Sequence, residues 1–175
     1  NRPGHHSGEG MKTIYLDNNA TTPVAPEVVE AMLPYFTELY GNASSMHTFG
    51  GQVHGTIELA RAQVAELIGA EPEEIIFTGC GTESDNTALM SAVESNPAKR
   101  RVVTTRVEHS AILNFCKHLA AKGYHTTYLP VDTLGRFNMD ALLEAIDDQT
   151  AIVSVMYANN ETGVIFPIAE IGKIL

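Results

Sequence analysis

The chain has 175 residues, with 11 Lys and Arg against 21 Asp and Glu, and a formal net charge of −10. That acidic balance excludes a broad phosphate-binding surface and argues against nucleic acid as a partner. Apolar residues make up 44% and charged residues 18%, which suits a globular domain with a core and not a disordered segment. No apolar run approaches the ~18 residues of a membrane-spanning helix, so no membrane partner is expected. The first residues lack the apolar stretch of a secretory signal. Two widely spaced cysteines, Cys80 and Cys116, suit a reducing cytoplasm better than a disulfide scaffold or a zinc site. The glycosylation-like triplets at Asn19, Asn42 and Asn160 then read as chance matches.

Residues 1–10 are polar, glycine-rich and patternless and precede Met11. They read as a tag remnant or disordered leader, His5 and His6 included. Residues 14–16 form a short extended run. Residues 26–40 carry Val28, Val29, Met32, Leu33, Phe36 and Leu39 at helical spacing, with Pro26 suited to the first turn and Gly41 following. Residues 51–68 repeat that period and stop at Gly69. Residues 75–78 predict a buried strand, 82–93 a helix, 101–105 a strand, 109–122 a helix and 124–129 a strand. Residues 139–146 predict a helix and 151–157 the strongest strand. Pro167 opens a last helix, whose apolar Ile168, Ile171, Ile174 and Leu175 look like a face only half built. We therefore expect the chain to be a fragment. Four apolar strands alternating with helices predict βαβ units: an α/β fold with a mostly parallel sheet flanked by helices. Ligands bind such sheets at the C-terminal edge of the strands.

Three polar segments fall on that edge. Thr78-Gly-Cys-Gly-Thr-Glu-Ser-Asp-Asn86 joins a strand to a helix, with Thr82 or Ser84 as possible caps. A helix N-terminus with free N–H groups attracts anions, so a phosphate site competes here with a plain glycine turn. No Gly-Lys-Ser/Thr follows, which excludes a Walker loop. Gly79, Gly81 and Ser84 nearly match the dinucleotide fingerprint, with Glu108 about 25 residues on as the acid for a ribose. Glu108-His-Ser110 could bring acid–base chemistry or a stacking ring, or only start a helix. Ala158-Asn-Asn-Glu-Thr-Gly163 could hydrogen-bond a ligand or form an Asn/Gly turn. Leu16-Asp-Asn-Asn-Ala-Thr-Thr-Pro23 reads most simply as an Asx turn. No histidines sit at metal-ligand spacing with a third ligand, so no metal site is expected.

Together these segments stand in a telling order. Leu16-Asp-Asn-Asn-Ala-Thr-Thr-Pro23, Tyr40-Gly-Asn-Ala-Ser-Ser45 with His47, Gly81-Thr-Glu-Ser-Asp-Asn86, Val107-Glu-His109, Val153-Ser-Val-Met156 and Ala158-Asn-Asn-Glu-Thr-Gly163 resemble NifS/IscS-type cysteine desulfurases. These belong to the class V aminotransferases. The resemblance covers residues 11–175. It implies an aspartate-aminotransferase-like fold (fold type I), a homodimer and the cofactor pyridoxal 5′-phosphate (PLP). It implies conversion of L-cysteine to L-alanine, with sulfur passed through an enzyme persulfide to an iron–sulfur scaffold protein or another acceptor. Carried over, Gly81 and Thr82 would hold the PLP phosphate. His109 would stack on the pyridine ring and serve in catalysis by moving protons, and Asn160 would bond near the phenolic oxygen. Residues 17–22 would lie near the substrate entrance.

Some positions depart from the family pattern. Gly79-Cys80 replaces the usual Ser-Gly, removing one hydroxyl, and Cys80 reads as a small buried filler. Ala43 replaces a usual proline. The lysine that bears the cofactor, its aspartate, glutamine and arginine companions and the nucleophilic cysteine would all lie beyond position 175. Residues 11–175 would then be the N-terminal segment and the first part of the PLP-binding large domain, inactive alone. The competing readings are a shortened paralogue acting as a protein-binding module, and a nucleotide-binding domain built on the turn at residues 79–84.

Overall fold

The computed structural model describes residues 14–175. The leader at residues 1–10, with His5 and His6, lies outside the described residues. The chain divides into two compact units, one ending at Ile75 and the other spanning Ile76–Leu175.

The first unit is helical. α1 covers Pro26–Met32 and α2 covers Pro34–Thr37. The single helix expected over residues 26–40 is thus broken. Pro34 has no N–H to donate and crowds the preceding turn, so the chain restarts its helix at that residue. α3 runs over Thr48–Ile68, and its N-cap His47 accepts the Gly50 N–H on Nδ1 at 3.2 Å. It ends at Gly69, whose φ of +70° is the left-handed conformation that glycine adopts without strain. Residues 42–45 fold tightly over the start of α3. The Asn42 side chain accepts the Ser44 N–H and its carbonyl accepts the Ser45 N–H, both at 2.9 Å. Tyr40 and Phe49 pack edge to face at 5.2 Å. A short 3-10 turn, Pro72–Glu74, closes the unit, and the Arg61 guanidinium donates to the Ile75 carbonyl. The Asp17 segment forms a backbone turn, with Ala20 N–H donating to the Asp17 carbonyl at 3.1 Å.

The second unit is α/β. α4 (Gly81–Ser95), β1 (Arg101–Thr105), α5 (Ser110–Ala121), β2 (His125–Leu129), α6 (Met139–Ala145), β3 (Thr150–Ser154) and α7 (Ile168–Ile174) follow in order. The three strands form a parallel sheet in the order β2-β1-β3. Successive side chains of a strand point to opposite faces, and both faces of β1 are buried. Val102 packs with Leu89 and Val93 of α4 and with Ile112, Cys116 and Leu119 of α5. Val103 packs with Leu129, with Leu142 and Ala145 of α6 and with Ile171 of α7. The parallel sheet flanked by helices is the fold class expected.

One expected strand does not form among the described residues. Residues 75–78 join no strand ladder, and Ile76 and Phe77 are 74% and 50% exposed. Extended backbone becomes a strand only when a neighbouring strand exchanges main-chain hydrogen bonds with it, and here the Ile75 carbonyl is taken by the Arg61 guanidinium instead.

Candidate functional site

Parallel β1 and β3 bring the segments that follow them to one edge of the sheet, and two helices begin at the same edge. α4 starts at Gly81 without a side-chain cap, so neither Thr82 nor Ser84 caps it as expected. Instead the Ser84 hydroxyl meets the Thr78 hydroxyl at 2.6 Å, and Ser84 N–H donates to the Cys80 carbonyl at 3.1 Å. The N–H groups of Gly81, Thr82 and Glu83 find no acceptor among the described residues. These are the orphan donors of a helix start, aligned with the positive end of its dipole. The only carboxylate in that first turn, Glu83, is turned back to accept the Gly79 N–H at 2.7 Å. Nothing lies within 4 Å of where a Cβ on Gly81 would stand, so the turn is open to a ligand.

Cys80 is exposed, contrary to the expected buried filler. As N-cap it stands in extended backbone at the sheet edge, outside the packed face of α4. Together with Thr82 and Asn86 it lines a recess of about 540 Å³. Cys116 is the buried cysteine, and burial raises its thiol pKa.

α5 starts beside α4. Thr82 and Asn86 of α4 share a second recess, of about 310 Å³, with Ser110, Ala111 and Asn114 of α5. His109 caps α5: its Nδ1 accepts the Ala111 N–H at 3.2 Å while the ring remains exposed. The helix-starting and ligand-facing readings of His109 are therefore compatible. With Nδ1 used as an acceptor, the neutral imidazole carries its proton on Nε2.

The loop after β3 divides its work between two neighbouring asparagines. Asn159 is 7% exposed, and its Oδ1 accepts Glu161 N–H at 3.0 Å and Thr162 N–H at 2.9 Å. Gly163, with φ of +73°, donates to the Asn159 carbonyl at 2.8 Å. The plain turn reading thus belongs to Asn159, and Asn160 is left exposed with its Nδ2 donating to Glu161 at 3.3 Å.

Glu108 is also 7% exposed. Its Oε1 accepts the Thr105 hydroxyl and the Met156 N–H, each at 2.9 Å. Burial raises its carboxyl above the ordinary range; these two hydrogen bonds pull it down, and Asp85 pushes it up again. A carboxylate turned inward in this way is not presented to a ribose, which removes the main support for a dinucleotide site. Sequence reasoning read Glu108 and the amides of residues 159 and 160 as ligand or turn residues but missed that Glu108 and Asn159, just before His109 and Asn160, are buried. The available signal was a charged or amide residue directly after an apolar strand. Among the described residues, no group of three or more His, Cys, Asp or Glu is placed to hold a metal ion.

Comparisons with known proteins point one way. The chain is 56% identical over 163 residues to a cysteine desulfurase of Nostoc sp. (strain PCC 7120), covering 93% of this chain and 41% of that protein. It is 52% identical over 165 residues to the cysteine desulfurase NifS of Azotobacter vinelandii, covering 94% and 41%. Among solved structures, a NifS-like protein matches with a TM-score of 0.88 at 41% identity, covering 92% of this chain and 44% of that one. SspA in complex with cysteine matches with a TM-score of 0.87 at 34% identity, covering 93% and 47%. The chain thus spans about two fifths of the length of these curated relatives. Residues 14–175 match the aminotransferase class-V family, to which this chain belongs.

Proposed function

We propose that, at full length, this protein is a PLP-dependent cysteine desulfurase that takes sulfur from L-cysteine and leaves L-alanine. The observation that carries this reading is the uncapped start of α4, with three orphan N–H groups and the Thr82 hydroxyl beside the start of α5. A phosphate monoester needs such donors and no opposing carboxylate, so the residues present fit the cofactor's phosphate. Gly81 and Thr82 would hold it. His109, fixed through Nδ1, would lay its ring on the cofactor and exchange a proton at Nε2. Asn160 would donate its amide to the cofactor's phenolic oxygen. When bound, PLP supplies the electron sink for bond cleavage at the substrate carbon.

The family resemblance extends this reading to a homodimer in the cytoplasm that passes sulfur, as a persulfide, to an iron–sulfur scaffold protein or another acceptor. The test is to purify the full-length protein, release its cofactor with alkali and assay L-cysteine turnover. We expect about one PLP per chain and equal yields of alanine and reducible sulfur. A protein that binds no PLP and forms no alanine from cysteine rules the reading out.

A further inference from the structure

The main-chain ladder between β1 and β3 has its last register pair at Thr104 and Ser154. Beyond it, two side-chain hydrogen bonds link the segment at residues 106–110 to the segment at residues 155–163. The Glu108 carboxylate reaches from the first to the Met156 N–H of the second, at 2.9 Å. The Asn159 amide reaches back from the second to the Val107 carbonyl of the first, at 3.0 Å. The two bonds form a reciprocal clasp, each side chain taking a backbone group of the other segment. Both clasp residues are buried, and each directly precedes an exposed residue of the proposed site: His109 after Glu108, and Asn160 after Asn159.

We propose that Glu108 and Asn159 are positioning residues that set the separation of His109 and Asn160 at the edge of the sheet. The inference rests on the functional reading above. Neither clasp residue touches the cofactor in it. Each fixes the main chain one residue away from a side chain that does. Buried hydrogen bonds suit this task, because water does not compete for them and a lost partner leaves an unpaired polar group. The Asn159 Oδ1 bonds shape the loop itself, whereas its Nδ2 bond joins the two loops. The two roles can therefore be separated by mutation.

The test uses the full-length PLP-loaded protein. Asn159→Asp keeps the Oδ1 acceptor and places a carboxylate oxygen against the Val107 carbonyl, so it opens the clasp while sparing the turn. Glu108→Ala opens the other half, and Glu108→Gln keeps an acceptor for Met156. We expect Asn159→Asp and Glu108→Ala to shift the visible absorption of bound PLP and to lower kcat about 10- to 100-fold, with a much smaller change in KM. Glu108→Gln should restore both relative to Glu108→Ala. His109→Ala should cost less in the Glu108→Ala background than in the wild type. If Glu108→Ala does not fold, Asn159→Asp decides alone. Variants that lose thermal stability but keep the wild-type absorption band and kcat overturn the inference. A wild-type protein without PLP overturns the functional reading and this inference together, and that failure is visible before any variant is made.

Discussion

Glu108 and Met156, 48 positions apart in the chain, are joined by a 2.9 Å hydrogen bond from the Met156 N–H to the buried Glu108 carboxylate. The pairing brings two loops together where the sheet ends. It also makes the fold sensitive to pH. Burial raises the carboxyl above its ordinary range, so the folded protein holds this proton more tightly than the unfolded chain does. The stability this gives is fully present below the unfolded carboxylate pKa and is lost as the pH rises through the folded value. Glu108→Gln removes that titration. The melting temperature of Glu108→Gln relative to the wild type should therefore increase between about pH 4 and about pH 8. Thermal denaturation across that range checks it, and a constant difference would show that Glu108 does not titrate with folding.

Thr82→Val tests the cradle at the start of α4. Valine keeps the shape of threonine and its backbone N–H but removes the hydroxyl. A hydrogen bond to a charged group contributes about 1.5–3 kcal/mol, so PLP affinity should fall about 10- to 150-fold. Fluorescence titration of the cofactor-free full-length protein measures this. Unchanged affinity would place the phosphate elsewhere.

The two cysteines should differ in reactivity. Cys80 is exposed at the mouth of the α4 recess, while Cys116 lies in the core between β1 and α5. A buried thiol with a raised pKa forms little thiolate and reacts slowly. Alkylation followed by peptide mass mapping should therefore mark Cys80 first and Cys116 only on unfolding. PLP or inorganic phosphate should slow labelling of Cys80. Labelling of Cys116 in the native protein would contradict the packing described.

Two neighbouring glycines in α3 should respond in opposite directions. A Cβ on Gly50 would overlap the Asn42 carbonyl oxygen and come within 2.8 Å of the Ser45 Cβ, whereas a Cβ on Gly51 meets nothing within 4 Å. Alanine's better helix propensity favours either change by about 1 kcal/mol. At Gly50 that gain opposes an overlap costing about 1–3 kcal/mol, and part of the clash is with main chain that cannot rotate away. Chemical denaturation should show Gly50→Ala to be less stable than the wild type and Gly51→Ala to be equal or more stable.

Much of this was legible in the residues alone. The strand over Arg101–Thr105, the end of α3 at Gly69 and the polar segments at the sheet edge all follow from apolar period and turn chemistry, which act over a few residues. The break at Pro34 was equally local and could have been read from the proline's missing N–H. Which side chains would be buried could not. Residues 75–78 have the composition of a strand, but a strand needs a partner. Cys80 has the size of a core filler but stands exposed at the uncapped start of α4. Glu108 and Asn159 look like ligand contacts and instead turn inward, because their hydrogen-bond partners lie 48 and 52 positions away. Local pattern determined the elements and the edge at which chemistry would gather. Only the parallel register of β1 against β3 decided which polar residues at that edge stay exposed and which are buried and bonded across the two loops.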